Sequence, residues 1–227
     1  MKTLRFFPET VLTLGPVEIT DTVLISWLVM VVVSMISFII TRRLDLKPNM
    51  FQEILEALFE TMEKTIREVL NIDPAEVVPI LGTLWILIGF SNLAGLIPGL
   101  VTPTADLNTT FAFAMIAFSM THIFGIKTQG VRKYIAHYKE PTLVLLPFTV
   151  IAEITRTVAL AVRLYGNMLS GDMIAVILLG IVGFIVPVPF NLLHVVIGLI
   201  QAYIFGILTL VFIAGGLGEK DSQAADK

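Results

Sequence analysis

Five side chains in the C-terminal half have the types and spacing needed to move an ion: Arg163, Asn167, Asp172, His194 and Gln201. All five lie in an apolar tract running from Pro141 to Gly215. An arginine near the centre of a bilayer costs roughly 2.5 to 3.5 kcal/mol on insertion scales, so it should face a partner or a wet cavity. Histidine titrates near neutrality and aspartate exchanges a proton, whereas asparagine and glutamine hold water or a guanidinium without titrating. A guanidinium stays charged throughout, so it relays no proton but forces a passing carboxylic acid to ionise. Placed between two half-channels, it would release a proton on one side and bar direct leakage.

Helical geometry sorts these residues into stripes. Residue i+4 stays near the face of residue i and i+7 almost repeats it, so Arg156, Arg163 and Asn167 share one stripe. Asp172 points to roughly the opposite side of the same helix at 100° per residue. His194 and Gln201 form a second stripe on the following helix, with Gly198 between them leaving room for close packing or water. Two polar-striped helices joined by a short turn can face each other. Glu153 and Arg156 are secondary candidates, because their i,i+3 spacing gives an ion pair as readily as a channel lining. His122 reads as a packed or interfacial histidine, Asp106 as a turn or cap residue, and Trp27 and Trp85 as lipid-facing or packing bulk.

The elements that position these groups follow from composition. The chain is 56% hydrophobic and only 15% charged over 227 residues, and its apolar runs approach the roughly 20 residues that cross hydrocarbon. Backbone groups in lipid must close their own hydrogen bonds, and no period-2 alternation signals a barrel, so the spans are expected to be helices. The expected fold is all-α and integral to the membrane: about five transmembrane helices plus one amphipathic surface helix, the last two long and tilted as a hairpin. The predicted spans are 22–41, 77–97, 109–126, a long helix 142–186 carrying the arginine, and 190–214 after the Pro187-Val188-Pro189 turn. Together they form a single polytopic domain over 1–227.

Local signals refine these bounds. Asp21 is a candidate N-cap for the first span, and Asp73-Pro74-Ala75-Glu76 combines an N-cap, a first-turn proline and a capping-box acid. Residues 49–70 place Ile54, Leu55, Leu58, Met62 and Ile66 at helical spacing among five glutamates, with Glu60/Lys64 and Glu63/Arg67 as i,i+4 pairs. That pattern predicts a helix lying on the membrane surface or against a partner. Arg42, Arg43 and Lys47 follow the first span and Lys127, Arg132, Lys133 and Lys139 the third, while the loop 98–108 has no basic residue. By the positive-inside rule the N-terminus is expected outside and the tail 218–227 in the cytoplasm.

Several classes are disfavoured. The chain has no cysteine, so disulfides and thiolate chemistry are out. It has neither a His-Glu-x-x-His zinc motif nor a nucleophile elbow, and no metal, cofactor or catalytic site of its own is expected. No nucleic-acid partner is expected either. A secondary ion-coupled transporter is the alternative reading, but its signature of repeated halves with matched broken helices is not visible.

Three separated motifs carry a resemblance. They are Arg163-Leu164-Tyr165-Gly166-Asn167-Met168, the stretch Leu193 to Phe205 with His194 and Gln201, and Pro103-Thr104-Ala105-Asp106-Leu107-Asn108-Thr109-Thr110. In this order they resemble subunit a of the membrane sector of F-type ATP synthases, over most of the chain from Ile80 to Gly215. The resemblance implies a non-catalytic stator channel for H⁺ or Na⁺ beside a ring of c subunits, with peripheral-stalk b subunits and a soluble F1 headpiece in the same complex. Arg163 matches the family's essential arginine; Asn167, Asp172, His194 and Gln201 match its polar channel positions. The chain departs from the common pattern at Tyr165 for Phe, Asp172 for Glu, Thr157 for Pro and Ala159 for Ser. The short N-terminal segment without a transit-like pattern points to a bacterial or archaeal plasma membrane.

Overall fold

The computed structural model describes residues 10–14, 17–42, 50–70, 73–97, 100–134, 146–183 and 186–217. Arg43, Lys47 and Lys139, the first residues of the anticipated long helix and the tail 218–227 lie outside the described residues. The protein is an all-α fold with one small addition. A hairpin of β1 (Thr10–Leu14) and β2 (Val17–Thr20), antiparallel with a register shift between Thr10 and Leu12, precedes the first helix. This hairpin is absent from the sequence expectations, because two strands of five and four residues carry too little periodicity to stand out.

Among the described residues five helices are long and apolar enough to cross a membrane: α1 (Asp21–Thr41), α3 (Pro74–Ala94), α4 (Leu107–Gln129), α5 (Leu146–Val182) and α6 (Pro187–Leu217). A sixth, α2 (Met50–Val69), is the amphipathic one. At 37 residues α5 is about 55 Å long, well beyond the roughly 30 Å of hydrocarbon, so it must tilt or project.

Several boundaries differ from expectation. Asp21 is the first helical residue rather than the cap; Thr20 holds the cap position, and Asp21 accepts the Thr22 amide at 2.9 Å. The α3 helix starts at Pro74, as the expected cap and first-turn proline require, and ends at Ala94, three residues before the end of the predicted span 77–97. Asp73 does cap it, accepting from the Ala75 amide at 3.0 Å. Glu76 does not close a capping box; its carboxylate lies 2.9 Å from the Lys127 ammonium on α4, a full charge that outcompetes a backbone amide. The α4 helix extends past its expected bounds at both ends. The α6 helix begins at Pro187 rather than after the proline pair, because a proline in the first turn gives up only an amide that has no intrahelical acceptor.

Two apolar cores hold the bundle. The first joins Leu84 and Ile88 of α3, Ala114 and Ala117 of α4, Leu160, Ala161 and Leu164 of α5, and Ala202 and Phe205 of α6. Alanines at the α4 contact let the α5 and α6 backbones approach closely, as membrane helices without a hydrophobic drive between them require. The second core gathers Ile66 and Leu70 from the end of α2 with Val77 and Leu81 of α3, Met120 and Phe124 of α4, and Leu210 and Ile213 of α6. Thus the C-terminal half of the amphipathic helix is anchored in the bundle, while Ile54, Leu58 and Phe59 in its first half remain exposed. Along α1 only Thr22 and Val29 are buried.

Candidate functional site

Arg163 sits midway along α5, on a helix whose buried face is set by Thr157, Leu160, Ala161, Leu164, Met168 and Gly171. That stripe turns Leu164 inward and leaves the Arg163 side chain exposed on the outside of the bundle. Among the described residues Arg163 makes no hydrogen bond and no ion pair. Its stripe-mate Arg156 is also exposed, with its guanidinium carbon 4.8 Å from the Phe212 ring centroid. Glu153, offered to Arg156 by the i,i+3 spacing, lies with Oε1 3.7 Å from His122 Nε2.

One turn beyond Arg163 the polar stripe enters the interior. Asn167 donates its side-chain amide to Gln201 Oε1 at 2.6 Å, joining the stripes of α5 and α6. A further turn on, Gly171 lies flush against the His194 ring: a Cβ at this position would occupy the imidazole itself. Asp172 follows on the flank and is half-buried. Between Gln201 and His194 stands Gly198, where a Cβ would come 3.1 Å from Asn92 Cβ. The room Gly198 leaves is therefore filled by a third helix. Asn92 of α3 donates to the Gly198 carbonyl at 2.6 Å and accepts from the Thr104 hydroxyl at 2.5 Å. Two atoms in this seam, His194 Nε2 and Gln201 Nε2, are buried with no hydrogen-bond partner among the described residues. Buried polar atoms nearly always have partners, so an orphaned pair in one seam marks a place where something polar is accommodated.

The structure thus joins Asn167 to Gln201 and sets His194 against α5, while Arg163, one turn earlier on the same stripe, stays exposed. Asn92 and Thr104 were missed as site residues. An asparagine in the last turn of a 21-residue apolar helix was the available signal, since a buried amide in lipid must find partners. Asp106 is the cap it was expected to be, accepting the Asn108 amide at 2.9 Å on one oxygen. Its other oxygen accepts the buried Thr22 hydroxyl of α1 at 2.5 Å, a link between residues 84 positions apart. Of the two readings offered for Trp85, packing bulk holds: it is buried, and its indole N–H donates to the Tyr203 carbonyl at 3.2 Å.

These features define a helical, multi-pass membrane protein with a hydrogen-bonded polar seam one turn from a mid-helix arginine that has no hydrogen-bond or ion-pair partner among the described residues. The family model described as the ATP synthase A chain matches residues 23–214. The chain is 46% identical over 214 residues to ATP synthase subunit a 2 of Pelobacter propionicus, covering 94% of each chain. It is 43% identical to ATP synthase subunit a 1 of Hahella chejuensis over 91% of this chain and 88% of that one. With ATP synthase subunit a of Legionella pneumophila it shares 44% identity over 93% of each. The chain belongs to the ATP synthase A chain family.

Proposed function

We propose that this chain is the stator channel of a rotary F-type ATP synthase. It carries H⁺ or Na⁺ through two half-channels to and from carboxylates on a ring of c subunits, and so couples ion flow to ATP synthesis or hydrolysis elsewhere in the complex. The observation that carries this reading is the exposed guanidinium of Arg163, midway along the apolar helix α5 and without a hydrogen-bond or ion-pair partner among the described residues. A charge so placed is tolerable only against a counter-charge, and a carboxylate passing on a neighbouring molecule supplies one. While the arginine faces it, the carboxyl group is held ionised and surrenders its ion. The seam of Asn167, Asp172, His194, Gln201 and Asn92 is the route by which an ion reaches that carboxylate from the outer side. The buried, orphaned nitrogens of His194 and Gln201 support this reading, as groups that a hydrated ion would meet.

In this scheme the protein crosses a bacterial or archaeal plasma membrane with its N-terminus outside and its C-terminus in the cytoplasm, beside peripheral-stalk b subunits and indirectly linked to the F1 headpiece. It performs no catalysis itself. The energy at its disposal is the membrane field, about 2.3 kcal/mol per charge per 100 mV. The deciding experiment is ATP-driven membrane potential, read with a voltage dye in inside-out vesicles at matched assembly. Loss of the signal in Arg163→Ala is expected, and a protonophore or a Na⁺ ionophore then identifies the ion. An unchanged signal would withdraw Arg163 from the coupling role.

A further inference from the structure

The seam of Asn167, Gln201 and His194 lies on one side of Arg163 along α5. Toward the other end of the helix a second pair of ionisable groups, with no place in that seam, is enclosed between α4 and α5. His122 and Glu153 are 30% and 18% exposed at their side chains, with Nε2 3.7 Å from Oε1. The second ring nitrogen fixes the proton count. His122 Nδ1 is 2.9 Å from the Phe118 carbonyl, which only accepts, so Nδ1 carries a hydrogen. Nε2 is then either an N–H facing a carboxylate or a lone pair facing a carboxylic acid. A lone pair facing a carboxylate would set two acceptors against each other. Each satisfied arrangement therefore holds one exchangeable proton between the two residues.

The neighbours suit a group that fills and empties. The Phe118 ring packs 4.2 Å from the imidazole and the Tyr134 ring 6.0 Å from it, edge on. Arg156 follows Glu153 by three residues, about one helical turn, and its guanidinium lies over the Phe212 ring of α6. When the pair is empty and carries a net negative charge, this guanidinium offsets it. Lys127, further along α4, is engaged by Glu76 of α3 at 2.9 Å.

We propose that His122 and Glu153 form a one-proton relay between Arg163 and the cytoplasmic surface. The inference rests on the channel reading above and commits the ion to H⁺. A carboxylic acid on the partner ring ionises opposite Arg163, its O–H bond breaking to leave a carboxylate. The proton travels over water to the empty pair, because Glu153 is ten positions from Arg163, about 15 Å of helix rise. It binds His122 Nε2, giving imidazolium against the Glu153 carboxylate. The Nε2–H bond then breaks as the Glu153 O–H bond forms. That step requires the two atoms to close by about 0.7 Å to hydrogen-bond distance. Glu153 finally loses the proton to water at the cytoplasmic end and the empty pair is restored.

The test uses inside-out vesicles holding the complete synthase, with ATP-driven proton uptake followed by a pH dye between pH 6 and 9 on the cytoplasmic side. Membrane content and ATPase activity are matched across variants. His122→Gln and Glu153→Gln are each expected to slow proton transport by about tenfold, less than the roughly hundredfold or more of a group acting in a transition state, because water can carry part of the flux. The double variant should be no slower than either single one, because both residues serve one path, and Glu153→Asp should retain most of the rate. In the glutamine variants the dependence of rate on pH should flatten, which a merely structural role would not produce. Wild-type rates in both glutamine variants, losses that multiply in the double variant, or an unaltered pH profile would each overturn the relay. So would a wild-type signal carried by Na⁺. Arg163→Ala runs in parallel: its silence alongside unaffected glutamine variants removes the relay alone, whereas normal transport by Arg163→Ala removes the channel reading and the relay with it.

Discussion

Two polar regions of α5 sit one turn apart and are treated in opposite ways. At Asn167 the side chain is turned inward and bonded to Gln201 at 2.6 Å, with Asn92, Thr104 and the Gly198 carbonyl interlocked beside it. At Arg163 the side chain is exposed and has no hydrogen-bond or ion-pair partner among the described residues. The difference teaches what one chain can satisfy by itself. Neutral amides and hydroxyls complement one another at modest cost inside a helix bundle. A permanent charge at membrane depth without an internal counter-charge leaves a requirement that another molecule must meet.

The sharpest way to break this comparison is at the arginine. Arg163→Ala is expected to reduce ATP-driven potential to background without lowering the amount of subunit in the membrane, because among the described residues the exposed side chain makes no hydrogen bond or ion pair. Arg163→Lys should not restore it, since an ammonium lacks the planar fork that meets a carboxylate on two sides. Normal transport in the lysine variant would show that charge alone suffices there.

The interior should respond in the reverse manner, losing stability before function. Gly206 faces the Trp85 indole so closely that a Cβ would fall within the ring. Gly206→Val is therefore expected to destabilise the bundle by about 3 kcal/mol, the upper end of ordinary overpacking costs. With Trp27 replaced by Phe, Trp85 is the sole tryptophan, and its fluorescence should shift to the red as the indole is expelled. An unshifted spectrum would mean that the α3 and α6 contact is looser than the packing indicates.

A smaller effect is expected where two neutral groups meet. A double-mutant cycle over Asn167→Leu and Gln201→Leu, read by unfolding in mixed micelles, should give a coupling of about 0.6 kcal/mol and no more than about 1.7. A coupling near zero would mean that the stripes of α5 and α6 do not depend on each other. Comparable in size is the effect at the clasp on α1, which buries little but Thr22 and Val29. Thr22→Val removes the donor to Asp106 and should cost about 1 kcal/mol. It should be visible as faster disulfide trapping between cysteines introduced on α1 and a neighbouring surface. Unchanged trapping would assign the docking of α1 to apolar contacts.

Much of this architecture was legible in the chain. Apolar runs separated by Pro, Gly and basic residues announce five spans, since lipid forces each run to satisfy its own backbone. The glutamates of α2 alternate with Met62 and Ile66 at a period only a helix can use, and Asp73 and Asp106 declare themselves as caps. The stripes of Arg163 with Asn167 and of His194 with Gln201 follow from 3.6 residues per turn alone. The short hairpin before α1 escaped, as did the start of α6 at Pro187, where a proline reads as a break in isolation but is compatible with a first turn.

What the sequence by itself determined was therefore local: which segments are helical, which residues share a face, and that a charged group lies midway along α5. Which faces meet was decided by the tertiary structure. Gly198 admits Asn92 from α3, more than a hundred residues away, only because both helices cross there. Glu76 abandons its own helix cap for Lys127, and Glu153 lies beside His122, because the chain path brings α4 alongside both. The same crossings leave Arg163 outside. Periodicity fixes the angle of a side chain about its own axis, but only the placement of the neighbouring axes determines whether that direction is interior or surface.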